Sequence, residues 1–504
     1  MTTLPGLRIL NRRTVPLADV PMLPLDRLGQ RLEEAIGDGG RIVTLFGTPE
    51  TADELRLLCV LANDARGELA AITTVVRREY RALSIGCRQA ARFECEIAEQ
   101  CGARPHGHPR LRPVRRHAPD HAPSSWRDVS TEAPAFEFTP IGGDEVHEVA
   151  VGPVHAGIIE PGHFRFQAHG EEILALEIVL GYQHRGVERL LECSPRERAI
   201  YVAESIAGDS TIAHASAYCG AIEALSRSHK SPRAQAIRGI ALELERLSNH
   251  IGDLGALSGD VAYQPAAAYF GRMRGDCLNL LMSISGNRYG RGLIRPGGVG
   301  FDVDDEIVRD AEQRMMGLGD EFRRVGDLFF GTSASVQSRL EGVGAISRES
   351  CIAHGFVGVV ARSCDVPHDV RHDHPYGVYR FAQIPVSTAW AGDVYARALV
   401  RRLEVQRSIT FIAEQIAALP RGEIRSPCRA LAPNEFVVAL EEGWRGEVVH
   451  AVLTDDTGRV RRHKVIDPSF HNWPAIEIAM PGNQISDFPL SNKSFNLSYA
   501  GHDL

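Results

Sequence analysis

Ile237-Arg-Gly-Ile240-Ala-Leu-Glu-Leu244-Glu-Arg-Leu247-Ser-Asn-His-Ile251-Gly-Asp-Leu254-Gly-Ala-Leu257 carries an apolar side chain at every third or fourth position. A period near 3.6 lays those side chains along one face of an α-helix, and that face must be covered by another apolar surface. Ile409, Ile412, Ile416 and Leu419 repeat the pattern, so the two stretches predict helices packed in a bundle. Outward from the first stripe, Val149 to His155 and Gly162 to Phe166 alternate like short strands. Near the other end, Glu447 to Leu453 and Arg459 to Val465 flank Asp455-Asp-Thr-Gly458, which predicts a β-hairpin around an Asp/Gly turn. This part of the chain reads as mainly helical with small β elements.

Upstream, His117-Ala-Pro-Asp-His-Ala-Pro-Ser-Ser-Trp126 is poor in aliphatic residues and reads as the start of a linker. The chain then divides into residues 1–116, a linker over 117–140, and a large domain over 141–504. In the first part, Arg41 to Phe46 and Leu69 to Val76 read as strands, and Asp53-Glu-Leu-Arg-Leu-Leu58 reads as the opening of a helix. That predicts a small α+β domain. Five arginines between Arg104 and Arg116 form either a solvated basic loop or an ordered segment that docks on a partner.

With 504 residues, 44% apolar and 24% charged, the composition is that of a soluble globular protein large enough for two or three domains. A formal charge of −8 argues against general nucleic-acid binding. No run of about 18 apolar residues predicts a membrane span, and the N-terminal residues lack the apolar stretch of a signal peptide. The ten cysteines include no Cys-x-x-Cys pair, so they read as buried small hydrophobes rather than as ligands of an iron-sulfur cluster.

Two stretches concentrate the chemistry: Glu204-Ser-Ile-Ala207-Gly208-Asp209-Ser210-Thr-Ile-Ala-His214 and Asp467-Pro468-Ser469-Phe470-His471-Asn472-Trp473. They resemble the metal-ligand motifs of nickel-iron hydrogenase large subunits, Arg-x-Cys-Gly-x-Cys-x-x-x-His and Asp-Pro-Cys-x-x-Cys. Gly208, His214 and Asp467-Pro468 match, but the four cysteine positions hold Ala207, Ser210, Ser469 and Asn472. A nickel-iron pair needs soft, ionised thiolates. A methyl group, two hydroxyls and a carboxamide do not supply them. The expectation is a metal-free pocket lined by Ala207, Gly208, Ser210, Ser469, His471 and Asn472.

Further stretches widen the resemblance. Gly152-Pro-Val-His155 through Glu160-Pro-Gly-His163-Phe-Arg-Phe166, then Gly181-Tyr-Gln-His184-Arg185-Gly186-Val-Glu188, are similar to the opening of energy-converting hydrogenase large subunits. Formate hydrogenlyase and hydrogenase-4 are examples, and the 49-kDa subunit of complex I belongs to the same superfamily. Glu245-Arg246, Asn249-His250 and Asp373-His374-Pro375-Tyr376 extend the match. Phe93-Glu94-Cys95-Glu96-Ile97 through Gly107-His108-Pro109 resembles the signature of the complex I 30-kDa subunit. The resemblance therefore implies a small N-terminal α+β domain of 30-kDa type, fused to a mainly helical domain of 49-kDa type.

The resemblance also implies roles. In complex I the vacated site became the head of a quinone pocket. His155 or His163 then stands on the loop that carries the quinone-facing histidine, and Tyr201 is the counterpart of the quinone-contacting tyrosine. A quinone takes up electrons and protons, so it needs positioned proton donors. Asp209 with His214 forms either a proton relay or a polar network filling space, and Glu188 matches the acid that moves protons in hydrogenases. Tyr201 has the alternative of a packed core aromatic, and His471 that of a surface histidine. No cofactor is expected on this chain itself. A quinone is the candidate ligand, and an iron-sulfur cluster is expected on a small 20-kDa-like partner subunit beside antiporter-like membrane-arm subunits. The expected place is the cytoplasmic face of the cell membrane. The competing reading is a structural or coupling subunit of an ion-translocating complex with no redox chemistry. An active nickel-iron hydrogenase does not fit the substitutions.

Overall fold

The first apolar stripe lies on the helix Pro232–Asp260, where Ile237, Ile240, Leu244, Leu247, Ile251, Leu254 and Leu257 are all buried. A computed structural model describes residues 4–126, 136–155, 157, 159–331 and 334–504. The Ser231 side chain accepts a hydrogen bond from the Ala234 N–H, and Pro232 sits in the first turn where its missing donor costs nothing. Helices Gln264–Ser285, Asp305–Gly331 and Val394–Ala417 join it in a ring, each packed on two neighbours. Ile412 and Ile416 of the second stripe are buried, and Ile409 and Leu419 pack at its margin.

The expected hairpin is present as Glu447–Thr454 and Val460–Ile466, and the Asp455 carboxylate fixes its turn by accepting from the Thr457 and Arg459 N–H groups. With Glu435–Glu442 these strands form an antiparallel sheet covered by the helix Thr211–Leu225, which is buried on almost every side. The fourth strand comes from far away in sequence: Thr14–Pro16 pairs with Glu435 to Val437. A second sheet, Val146–Val151, His163–His169 and Glu172–Val179, packs with the helix Pro468–Ala479 over a smaller core.

The N-terminal region is an antiparallel sheet ordered Leu7–Ile9, Glu68–Val76, Leu55–Asn63, Arg41–Pro49, with helices Leu25–Gly37 and Ala91–Cys101 against it. The mixed α+β architecture agrees with expectation. The helix expected from Asp53 does not form. Leu55 to Asn63 is a central strand, and almost all of its side chains are buried. The Asp53-Glu54 pair looks like a helix start, but an unbroken apolar run suits a strand covered on both faces, and tertiary burial decided the outcome.

The segment expected to link two domains exposes Ala118, Pro119 and Asp120 and packs from His121 on. His121, Ala122 and Trp126 are buried, and the His121 N–H donates to the Gln100 carbonyl at 2.9 Å. Residues 127–135 of that segment lie outside the described residues. The arginines before it dock on this chain's own large region: Arg112 pairs with Glu477 at 2.7 Å, Arg110 pairs with Glu177, and Arg115 Nε donates to the His502 carbonyl at 2.8 Å. Glu99 gathers the N–H groups of Val114, Arg115, Arg116 and His117. Arg41 reaches both Asp64 at 2.6 Å and Glu447 at 2.7 Å, joining the two regions through a buried ion cluster. One apolar core spans both.

Candidate functional site

The two chemistry-bearing stretches meet because each lies at the mouth of a buried element. Residues 204–210 lead into the helix Thr211–Leu225. Asp467 follows the strand Val460–Ile466 and caps the helix Pro468–Ala479 by accepting the Ser469 N–H at 2.8 Å. There His214 Nε2 donates to Asp467 Oδ2 at 3.0 Å, and both side chains are buried. Burial pushes the Asp467 carboxyl up, but the His214 bond and the Arg445 charge outweigh it and hold it below the usual carboxylate range.

At the four positions where the hydrogenase motifs have cysteine, the donors are spent on the protein. Ala207 has no donor atom. Ser210 Oγ accepts from Arg445 Nη1 at 3.3 Å, and Ser469 Oγ accepts from the Ser498 N–H at 2.9 Å. The Asn472 carboxamide closes two bonds with the Val357 peptide, both at 3.0 Å. Hard, neutral and already bonded, this set does not fit a nickel-iron centre. Among the described residues, the group that comes nearest to a metal-ligand arrangement lies elsewhere: Asp64, His368 and Asp373, with ligand atoms within 4.8 Å of one another. The Arg41 guanidinium already neutralises Asp64 there, and His374 binds it at 2.9 Å.

The remaining expected residues differ in outcome. Asp209 does not pair with His214. Its carboxylate takes a two-pronged bond from Arg445 at 2.6 and 2.8 Å. The reason is local: Asp209 precedes the helix, and its carbonyl is pinned by Asn249 and by Trp444 Nε1, both at 2.9 Å. Arg445 lies 3.9 Å over the Trp444 ring and also reaches Ser210. Glu188 is buried among Arg462, Lys464 and Gln100 at 2.8, 2.8 and 3.0 Å. Against the burial that would raise it, Arg462, Lys464 and Arg115 hold its carboxyl well below the ordinary range. A carboxylate so fixed is held as an ion-pair anchor. His471 packs edge-on against Phe93 and Phe470, with Nε2 buried and unpartnered, in a cleft between the N-terminal region and the helix Pro468–Ala479.

His155 and His163 both turn back on their own loop. His155 Nε2 bonds the Gly162 carbonyl at 2.9 Å, and His163 Nδ1 lies 3.5 Å from the Gly152 carbonyl. The loop contributes Glu160 to the site. Burial pushes this carboxyl above the ordinary range, Arg445 opposes the rise, and Asp209 adds to it. Tyr201 is not a core aromatic: it is 58% exposed, with the Arg295 guanidinium 4.8 Å over its ring. Gly208 faces open space.

Sequence reasoning missed Arg445, Glu160 and Glu245. Glu245 accepts the Ile212 and Ala213 N–H groups at 2.6 and 3.2 Å, at the first turn of the helix that carries His214. Burial pushes its carboxyl up to about 8. The glutamate stood in a quoted motif, and its spacing from the helix start was the missing clue. Arg445 lies in a Gly-Trp-Arg-Gly hairpin turn with no signal of its own.

A histidine-bearing helix and an Asp-capped helix thus close on one polar centre, between a helical ring and a small sheet. The chain belongs to the family that joins the complex I 49-kDa subunit with energy-converting hydrogenase large subunits. Residues 260–438 and 429–503 match the family described as respiratory-chain NADH dehydrogenase, 49 Kd subunit. The chain is 30% identical over 348 residues to the carbon monoxide-induced hydrogenase of Rhodospirillum rubrum, covering 68% of this chain and 95% of that one. It is 28% identical over 376 residues to formate hydrogenlyase subunit 5 of Escherichia coli (strain K12), covering 74% and 66%. It is 30% identical over 343 residues to an NADH-quinone oxidoreductase subunit of Dehalococcoides mccartyi, covering 67% and 92%.

Proposed function

We propose that this chain is the large hydrophilic subunit of a membrane-associated, complex I-like oxidoreductase assembly, and that its vacated centre receives a quinone-like acceptor instead of nickel and iron. The observation that carries the reading is the donor set. The ligand positions are occupied by saturated, hard groups, while Asp209, Arg445, Glu160, Asp467 and His214 keep the centre charged and able to handle protons. A site that had lost every role would be expected to fill with apolar side chains.

The N-terminal region is read as the fused 30-kDa-type unit, on its motif and its α+β sheet. Electrons must come from a cluster-bearing partner, since this sequence has no cluster motif. The side chains Val154, Ile159, Tyr182, Leu190 and Tyr201 on segments flanking the site are large, apolar and exposed, as a docking face for such a partner requires. None of the described helices is long and apolar enough to cross a membrane, so attachment to a membrane arm falls to partners.

The test is the intact complex, purified from membranes and assayed for nickel and for quinone reduction. Acceptor reduction without stoichiometric nickel is expected. Nickel at one per chain would overturn the reading, and a metal-free complex that reduces no acceptor would turn it toward the structural, ion-coupling alternative.

A further inference from the structure

Behind His214 the structure holds a line of buried imidazoles that the site itself does not use. His214 Nδ1 lies 3.3 Å from His450 Nε2, and His450 Nδ1 lies 2.9 Å from His463 Nε2. All three rings are fully buried. They come from the helix Thr211–Leu225 and from neighbouring strands of the hairpin, where the register sets His450 opposite Val465 and His463 opposite Val452. We propose that His463, His450 and His214 form a proton wire that delivers protons to Asp467 at the vacated centre. This rests on the reading of that centre as a place where an acceptor takes up protons.

The hydrogen-bond roles run in one direction along the line. Asp467 is a carboxylate, so His214 must donate Nε2–H to it, and His214 Nδ1 is then an acceptor. His450 supplies Nε2–H to that acceptor, and its own Nδ1 accepts Nε2–H from His463. The end of the line is His463 Nδ1, which is buried and has no hydrogen-bond partner. That is the lone pair the pattern requires of a neutral chain waiting for a proton. One proton added at His463 Nδ1 shifts three Nε2 protons forward by one ring each, and the last arrives on Asp467. One proton enters and one leaves. Each ring ends as the Nδ1–H tautomer and must return before the next passage.

Two of the rings, His450 and His463, are held neutral between passages. Burial lowers His450 well below its ordinary value, helped by His463 and His214, and lowers His463 to about 4. The charged groups facing the line are Asp467 at one end, Glu188, Glu192 and Arg462 at the other, and Arg12 beside His450. Tyr218 stacks on His463 with ring centroids 5.8 Å apart. On the far side, Glu192 accepts the His463 backbone N–H at 3.1 Å and lies 3.1 Å from His121 Nε2. His121 binds Asp120 at 2.6 Å, and the Asp120 side chain is 33% exposed. That pair marks the solvent side.

Two measurements test the wire. In the purified complex, His450→Gln keeps a donor and an acceptor but cannot pass a proton through a ring. Acceptor-dependent turnover is expected to fall about tenfold or more, with a larger solvent deuterium isotope effect. Electron delivery into the partner's cluster stays as in the unaltered complex. A folded variant with unchanged turnover and isotope effect overturns the wire. In the full-length chain, nitrogen-15 histidine spectra at neutral pH should show three neutral Nε2–H tautomers. An imidazolium or an Nδ1–H ring among them overturns it as well. If the unaltered complex reduces no acceptor, the reading of the centre has failed, while the spectra still decide whether the line is ordered as described.

Discussion

His214 and Asp467 stand 253 positions apart and meet at 3.0 Å with both side chains buried, closing the vacated centre from two sides. Asp467 also accepts the first N–H of its own helix, so a single carboxylate caps one element and orients the imidazole of another. Asp467→Asn keeps a single acceptor oxygen, sets an NH2 group against the other donor, and removes the charge that both donors face. The expected loss is about 2 kcal/mol of unfolding free energy, from a weakened cap and a weakened buried charge-assisted bond. Urea denaturation of the full chain measures it, and a change below about 0.5 kcal/mol would show that the carboxylate charge contributes little.

Asn472 contributes at the same centre in a different way. Its carboxamide satisfies both polar groups of the Val357 peptide. Asn472→Ala leaves the buried Val357 N–H unpaired and its C=O with only the long Ala361 N–H bond at 3.5 Å, at a cost of about 1 to 3 kcal/mol. Asn472→Cys, which restores one residue of the hydrogenase motif, should be nearly as costly, since a thiol replaces neither bond. Loss of melting temperature in both variants, with no nickel bound by the cysteine variant, is the expected result.

Asp209 is expected to separate activity from stability. Its side chain is 35% exposed, so its two-pronged pair with Arg445 is screened, and Asp209→Asn should change stability by no more than about 1 kcal/mol. The same change removes the fork that fixes Arg445 above the centre. Acceptor-dependent turnover of the complex should then fall by at least about tenfold at an almost unchanged melting temperature. Equal loss of both would make Asp209 a structural residue only.

The parts of this molecule that could be read in advance are those with a local period or a local turn. The stripe from Ile237 to Leu257 needs only the helical repeat to be seen, and Asp455 to Gly458 needs only turn chemistry. The run from Leu55 reads as a helix because the acidic pair Asp53-Glu54 ahead of it imitates a helix start. Only the layers on both sides of the sheet decide for a strand. The pairing of His214 with Asp467 rather than with its neighbour Asp209 depends on where a strand 250 positions later ends. Arg445 sits in a turn that no motif marks, although it bonds both Asp209 and Ser210 at the centre.

Tyr201 bears on the partner. Its ring is exposed beneath the Arg295 guanidinium, so Tyr201→Ala should shift stability by less than about 0.5 kcal/mol. If the cluster-bearing partner docks over this ring, the same variant should lose that partner on purification or retain it at reduced stoichiometry. Component ratios from denaturing gels or mass spectrometry give the answer, and full retention with unchanged turnover would place the docking face elsewhere.

The pH dependence of stability follows from histidines buried as neutral rings. Burial, with Arg41 and Arg92 nearby, lowers His471 to about 3, and burial lowers His463 to about 4, against an unfolded value of 6.5. The folded state therefore binds fewer protons than the unfolded chain below pH 6.5. Stability is fully present above that value and is lost as pH falls from 6.5 toward each folded pKa. A depression of the size seen at His463 corresponds to a loss on the order of 3 kcal/mol by pH 4. Unfolding midpoints of the full chain should thus decline steadily between pH 6.5 and 4. His471→Leu removes one of the titrating rings along with an unpartnered buried nitrogen, so its midpoint should decline less steeply over the same interval. A parallel decline in both proteins would show that His471 is not held neutral by its surroundings.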